Sequence, residues 1–274
     1  MEKIGSGNRF LLGEIQMNPV DFGQCLQADC MTHPGLVRPV NEDAIGFLPE
    51  SGCFFVADGM GGGSAGEIAS SLLENQLTEA IEGSDGESFD QRIRQIRDAI
   101  RDANRKIRIC AERRSYRQMG TTLAMMLFHP QDERSAAICH IGDSRIYRLR
   151  DGLLTALTKD HTVGAELSES GTEGDYAGQM TDHRVSRISH MLTRVIGAEK
   201  EPEQEWAETE VRPRDRFLVC SDGVTTMLSE DTIQQILFEA EQPSDAVRLL
   251  GDRVLQAGAN DNFSLIVVFV NERV

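Results

Sequence analysis

No unbroken apolar run in this chain of 274 residues exceeds six, the longest being Leu123–Phe128 and Leu265–Val270. A helix that crosses a bilayer needs about 20 such residues, so no membrane partner is expected and the chain reads as soluble. The opening residues, Met1-Glu-Lys-Ile-Gly-Ser-Gly, have no apolar signal core. Cysteine pairs are missing too: Cys25, Cys30, Cys53, Cys110, Cys139 and Cys220 form no Cys-x-x-Cys and no dense spacing. Cys139 and Cys220 lie inside apolar stretches and read as small core residues, so a reduced, cytoplasmic setting is expected. None of the six histidines has zinc-type spacing with another, which disfavours a zinc enzyme. Positive charge is scarce, with 28 Lys and Arg against 44 Asp and Glu for a formal net charge of −16. That balance argues against nucleic acid as a general partner. It leaves an anionic substrate open, because charges beyond about 8 Å are largely screened at physiological salt.

Length and composition fit one α/β domain, with residues 1–20 as an irregular leader and 21–274 as the folded unit. Short apolar segments at about 24–31, 44–48 and 53–57 suit strands. Ile68, Leu72, Leu73 and Leu77 recur at helical spacing and predict a helix near 65–81. A longer helix follows, with Phe89, Ile93, Ile96, Ile100, Ala103 and Ile107 on one face. Its arginines, Arg92 to Arg108, interleave with Asp98 and Asp102 as solvated ion pairs. Strands are predicted again at 121–129, 136–141 and 145–149, with a hairpin turn at Asp151-Gly152. Residues 163–190 read as a short helix and then a mobile excursion. Strands at 206–211 and 217–220, helices at 230–240 and 244–257, and a buried strand at 263–270 close the chain. Strands in blocks separated by helix pairs favour antiparallel sheets with helices outside.

Against this background stand short acidic signatures in order: Arg38-Pro-Val-Asn-Glu42-Asp43, Val56-Ala-Asp58-Gly59-Met60-Gly61-Gly62, Gly142-Asp143-Ser144-Arg145, Ser221-Asp222-Gly223 and Asp261-Asn262. Asp58 and Asp222 each follow a short apolar run, where a carboxylate at a strand end beside glycine makes a good cation site. Singly, each is an ordinary turn aspartate. Together, carboxylates repel and are costly to desolvate without a counter-charge. Hard divalent cations with oxygen ligands would neutralise them, so a two-metal hydrolase is the leading hypothesis.

A rival reading comes from Gly61-Gly-Gly63-Ser-Ala-Gly66, which satisfies G-x-G-x-x-G between a strand and a helix. Asp58 would then point a charge at the pyrophosphate, and the following chain forms hairpins instead of another crossover. A phosphate-binding P-loop fails because no Lys-Ser or Lys-Thr follows the glycines.

The ordered series, with Gly120-Thr121-Thr122 between, resembles the metal-dependent protein phosphatases of the PPM or type 2C serine/threonine family, in their compact bacterial form. The resemblance runs from about residue 24 to 270. It implies an α+β fold, a four-layer αββα sandwich of two antiparallel sheets flanked by helix pairs. It implies Mn²⁺ or Mg²⁺, two ions in the core site and a third, weaker one. Asp58 is then expected to bridge both metals, with Asp222 and Asp261 completing the first site and the Gly59 carbonyl serving the second. Asp43 would hold metal-coordinated waters, with Glu42 doing likewise or ligating directly. Asp143 would serve the accessory ion, with Ser168 or Ser170 as conceivable flap ligands. Arg38 would grip the substrate phosphate, which its fork geometry suits; from the residues alone it reads as a surface partner of Glu42. Gly120-Thr121-Thr122 would shape the strand beside the site. The implied reaction is hydrolysis of phosphoserine or phosphothreonine by a metal-bridging water or hydroxide. The implied partners are phosphorylated protein substrates of a serine/threonine kinase, met by a monomer.

One position departs from many family members: Met60 stands where they carry a histidine thought to protonate the leaving group. His161, in Lys-Asp-His-Thr, reads as a structural hydrogen-bonding residue. The excursion at 163–190 matches the family's flap in place but not in sequence. The alternative function on the same fold is a catalytically silent phosphoprotein-binding module.

Overall fold

The computed structural model describes residues 20–22, 26–62, 64–84, 86–130, 134–170 and 188–272. Among these residues, twelve strands fall into two sheets. The first contains β1 (Val20–Phe22), β2 (Leu26–His33), β12 (Phe263–Val270), β11 (Arg216–Cys220), β8 (Arg145–Arg150) and β9 (Leu153–Ala156), in that spatial order. The second runs β10 (Glu205–Glu210), β7 (Ser135–Ile141), β6 (Leu123–Phe128), β4 (Cys53–Met60) and β3 (Asp43–Leu48). A two-residue β5 (Gly120–Thr121) pairs with the end of β4. All ten strand pairings are antiparallel. That removes the dinucleotide-binding reading, which needs a parallel crossover unit.

Alternation along the strands builds three apolar layers. Between the sheets, Phe54, Val56, Met126 and Phe128 meet Cys30, Phe217, Val219, Ile266 and Val268. On the outer face of the second sheet lie α1 (Ala65–Glu82) and α2 (Phe89–Arg114), packing Leu73, Leu77, Ile96, Ile100 and Ile107 onto Phe55 and Met125. The long α2 starts at a capping box, with Ser88 and Gln91 satisfying each other's backbone N–H. On the first sheet's outer face lie α5 (Glu230–Glu239) and α6 (Pro243–Gln256), the latter opening on proline. Two shorter helices, α3 (Val163–Ser170) and α4 (Asp222–Thr225), flank the site region. The architecture is the four-layer αββα sandwich.

Two local expectations change. β4 does not stop at Ala57 but continues to Met60, because β5 supplies pairing partners for Gly59 and Met60. Asp58 therefore sits within a strand, not after one. Arg92 is not a solvated member of the α2 arginine row: it is buried, donating to the Ser51 carbonyl at 2.8 Å and the Ser84 hydroxyl. Arg101 with Asp98 and Arg105 with Asp102 form the expected surface pairs. The short helix at the start of the 163–190 excursion is present as α3; the leader 1–19 and residues 171–187 lie outside the described residues.

Candidate metal and phosphate site

Asp43 and Asp58 are direct cross-strand partners on β3 and β4. Like charges in that register destabilise a sheet unless something neutralises them. Asp222 arrives from the first sheet, at the step from β11 into α4. Its neighbour Gly223 lets the Asp261-Asn262 turn pass close by: a Cβ at 223 would lie 2.0 Å from the Asn262 carbonyl oxygen. Gly59 is equally hemmed in, since a Cβ there would meet the Gly66 and Glu42 carbonyl oxygens at 2.2 and 2.5 Å. These approaches bring both sheets' acidic ends to one cavity of about 530 Å³, lined by Arg38, Glu42, Asp58, Gly59, Asp143, Asp222 and Asp261 among others. Asp43 lies just behind it.

The supporting hydrogen bonds explain several motif residues. Ser221 donates its hydroxyl to Asp43 Oδ2 at 2.8 Å and accepts from the Ser264 N–H at 2.9 Å. Thr122 Oγ1 accepts from the Asp58 N–H, while its own N–H and the Thr121 hydroxyl donate to the Asp58 carbonyl, all at 2.9 Å. The threonines thus hold the backbone under Asp58. Asn262, buried, is the clamp for the preceding loop: its amide donates to the Pro34 and Val40 carbonyls and its Oδ1 accepts from the Glu42 N–H. His161 grips Gly142 from both sides, its backbone N–H donating to the Gly142 carbonyl at 2.8 Å and its Nδ1 accepting from the Gly142 N–H at 3.0 Å. That is the structural part expected of it, one residue from Asp143.

Electrostatics make the cation deficit plain. Asp58 is held well above the ordinary carboxyl range by burial first and then by Asp43, Asp222 and Asp143. Burial is also the largest cause for Asp43 and Asp143, each pushed up to about 7 with Asp222 adding to it. Asp222 is raised by burial and by Asp261. Asp43 Oδ1 and Glu42 Oε1 are buried with no hydrogen-bond partner. Carboxylates gathered in one cavity, with orphaned oxygens of Glu42 in its lining and of Asp43 behind Asp58, are the donor set a hard divalent cation takes, so these residues fit Mn²⁺ or Mg²⁺. Arg38 is at the rim, and its partner is Asp261 at 2.7 Å, not Glu42.

Sequence reasoning passed over two features. His190 lines the cavity with Met191 and Leu192 at the end of the flap segment, near enough to offset a small part of the upward push on Asp222. Nothing in its local sequence sets it apart. His140, His161 and Glu205, distant in sequence, place potential ligand atoms within 4.8 Å of one another. With Nδ1 of His161 accepting from the Gly142 N–H, its Nε2 is the nitrogen that donates to Glu205 Oε2 at 2.8 Å. Arg194 Nη1 lies 3.0 Å from the same nitrogen and 3.6 Å from Glu205 Oε2, while both ring nitrogens of His140 are buried without a hydrogen-bond partner. Ser168 donates its hydroxyl to the Gly164 carbonyl, and the Ser170 side chain lies outside what the structure describes.

A two-sheet αββα sandwich with converging carboxylates at one end defines a class of metal-dependent hydrolytic folds. The family profile described as protein phosphatase 2C matches residues 38–257. The chain belongs to the protein phosphatase 2C family. It is 36% identical over 237 residues to the serine/threonine protein phosphatase PstP of Mycobacterium tuberculosis, which covers 86% of this chain but 43% of that protein. The chain thus spans under half the length of that relative. It is 29% identical to the serine/threonine phosphatase stp of Listeria monocytogenes, covering 89% of this chain and 95% of that one. The solved catalytic domain of PstP in complex with two manganese ions superimposes with a TM-score of 0.75 at 32% identity, covering 90% of this chain and 99% of that domain. The family's phosphatases use Mn²⁺ or Mg²⁺. Among the described residues no helix is long and apolar enough to cross a membrane.

Proposed function

We propose that this chain is a Mn²⁺- or Mg²⁺-dependent phosphoprotein phosphatase acting on phosphoserine and phosphothreonine. The observation that carries it is the opposed pair Asp43 and Asp58, joined by Asp222, Asp143 and Asp261 around one cavity with a guanidinium at its rim. Asp58, Asp222 and Asp261 would hold one cation, Asp58 and the Gly59 carbonyl the second, and Asp143 an accessory ion. When bound, the cations neutralise the carboxylates and the phosphoryl charge and acidify the attacking water. Asp43, fixed by Ser221, orients water in that shell. Arg38 presents two N–H groups to phosphate oxygens and so aligns the phosphoryl group; to do so it leaves Asp261. Met60 has no proton to give, and His190 is the one imidazole among the described cavity residues able to deliver one to the departing serine or threonine oxygen.

On this reading the partners are phosphoproteins modified by a serine/threonine kinase, met in the cytoplasm by a monomer. The folded unit is a single domain from about residue 21, with the flap at 163–190. The names of the relatives support the substrate class. The test is hydrolysis of p-nitrophenyl phosphate and of a phosphothreonine peptide by the purified chain. Turnover should require added Mn²⁺ and stop with EDTA. No metal-dependent turnover, with phosphopeptide binding retained, would instead favour the silent binding module.

A further inference from the structure

A second concavity, about 590 Å³, lies on the outer face of the second sheet between the start of α2 and the strands β7 and β10. β10 is the terminal strand of that sheet, and β7 and β6 separate it from β4, which carries Asp58. The groove is therefore distinct from the catalytic cavity and shares no lining residue with it.

Its floor is aromatic and ordered. Trp206, the single tryptophan of the chain, has its indole N–H satisfied by Gln204 at 3.0 Å, and the Arg97 guanidinium lies 4.7 Å above its ring. The Phe89 ring lies tilted against His129, centroids 4.4 Å apart, and Ile93 joins the same lining. The rim is acidic: Glu87, Asp90 and Glu208. Asp90 lies in the first turn of α2, where it complements the helix dipole. Glu87 and Glu208 have no such role and form no ion pair among the described residues. Among the described residues, Arg97 is the one arginine or lysine lining the groove, and it is committed to the Trp206 face.

An apolar floor with unpaired carboxylates on its rim is complementary to an extended segment that alternates apolar and cationic side chains. The terminal strand adds backbone groups on its outer edge that no described strand pairs, the feature that strand-adding peptides use. A second copy of the chain is a poor occupant. The rim carries Glu87, Asp90 and Glu208, so two copies facing each other across the groove would set like charges together.

We propose that the groove between α2 and β10 docks an extended, arginine- or lysine-bearing segment of a partner protein, held by the floor of Phe89, Ile93 and Trp206 and by Glu87 and Glu208. The site stands apart from the phosphatase reading, and its test needs no turnover.

Because Trp206 is the only tryptophan, its fluorescence reports this groove alone. The full chain is titrated with the peptide acetyl-Arg-Val-Arg-Val-Arg-amide and, separately, with its glutamate counterpart. A saturable change in emission with the basic peptide only, lost at high salt, is expected. Glu87→Lys together with Glu208→Lys should weaken binding at least tenfold while the circular dichroism melt stays that of the wild type. Glu87→Gln with Glu208→Gln covers the case in which charge reversal impairs folding, and should weaken binding severalfold. No saturable response, an equal response to the acidic peptide, or unchanged affinity in the glutamine variant would each overturn the proposal. So would sedimentation showing a dimer that the glutamate substitutions dissociate, which would assign the groove to a second copy.

Discussion

The aspartates of the cavity conflict with one another in a way their individual positions do not reveal. Asp43 and Asp58 face each other across two strands, and Asp58 shares a hydrogen bond with Asp222 that raises one and lowers the other. For a carboxyl group whose folded pKa is raised, the folded state binds more protons than the unfolded one. Its stabilising contribution is complete below the unfolded value and is lost as pH rises through the folded value. For Asp43 and Asp143 the window runs from about 4 to about 7. Metal-free protein should therefore lose stability from this cluster across that window, and Mn²⁺ should raise Tm more at pH 7.5 than at pH 5.5. Calorimetry in EDTA and in Mn²⁺ at both pH values checks this; an equal Mn²⁺ effect would contradict it. Asp222→Asn should leave the metal-free fold intact, or slightly stabilised, and cut turnover by more than about 100-fold, beyond what losing an outer-shell partner costs. Circular dichroism and a phosphate-release assay decide it. His190→Gln should slow a phosphothreonine peptide, whose alkoxide needs a proton, far more than p-nitrophenyl phosphate, whose leaving group does not. Equal slowing would remove the proton-donor role. The aspartates were readable in the sequence because Asp58, Asp143, Asp222 and Asp261 each have a glycine, serine or asparagine neighbour, and Asp43 closes the Arg-x-x-Asn-Glu-Asp motif. His190 was not, because its role comes from where the end of the flap segment meets the cavity. Arg38 was half-readable: its fork suits phosphate, but its partner Asp261 is 223 positions away.

Among the elements, periodicity made the helices legible and tertiary pairing set the limits of the strands. The apolar stripes of α1, α2, α5 and α6 are in the sequence, and so is Pro243 opening α6. The extension of β4 to Met60 was not, since it depends on β5, a two-residue strand with no pattern of its own. Arg92 was misread for the same reason: arginine spacing on α2 says which face a residue shares, not that Ser51 and Ser84 wait for it. The joint between α4 and the turn before β12 is the element-level feature on which the site depends most. Gly223→Ala puts a methyl group against the Asn262 carbonyl oxygen and would push Asp222 and Asp261 apart. We expect Mn²⁺ affinity, measured by calorimetric titration, to fall by at least tenfold. A variant that binds Mn²⁺ normally would show that the turn can yield without moving its carboxylates.

At the scale of the molecule, the cavity draws on both halves of the sandwich. Asp43 and Asp58 come from the second sheet, Asp222 and Asp261 from the ends of the first. Their spacing is fixed by the apolar layer between the sheets, where Phe217 of β11 meets Phe128 of β6 edge to face at 5.7 Å. The outer layers fasten each helix pair to its own sheet and have no direct say in that spacing. Phe217→Ala and Leu237→Ala should therefore differ in kind. Both empty a fully buried site and should cost about 3–5 and about 2–5 kcal/mol respectively in urea unfolding. Only Phe217→Ala should also loosen the register of one sheet on the other. Its Mn²⁺ affinity should fall well below that of Leu237→Ala, and the gain in stability at a fixed excess of Mn²⁺ should shrink in step, since a ligand stabilises only through its affinity for the folded state. If both variants bind Mn²⁺ like the wild type, the carboxylates hold their geometry through the loop clamps of Ser221 and Asn262, and the inter-sheet layer serves stability alone.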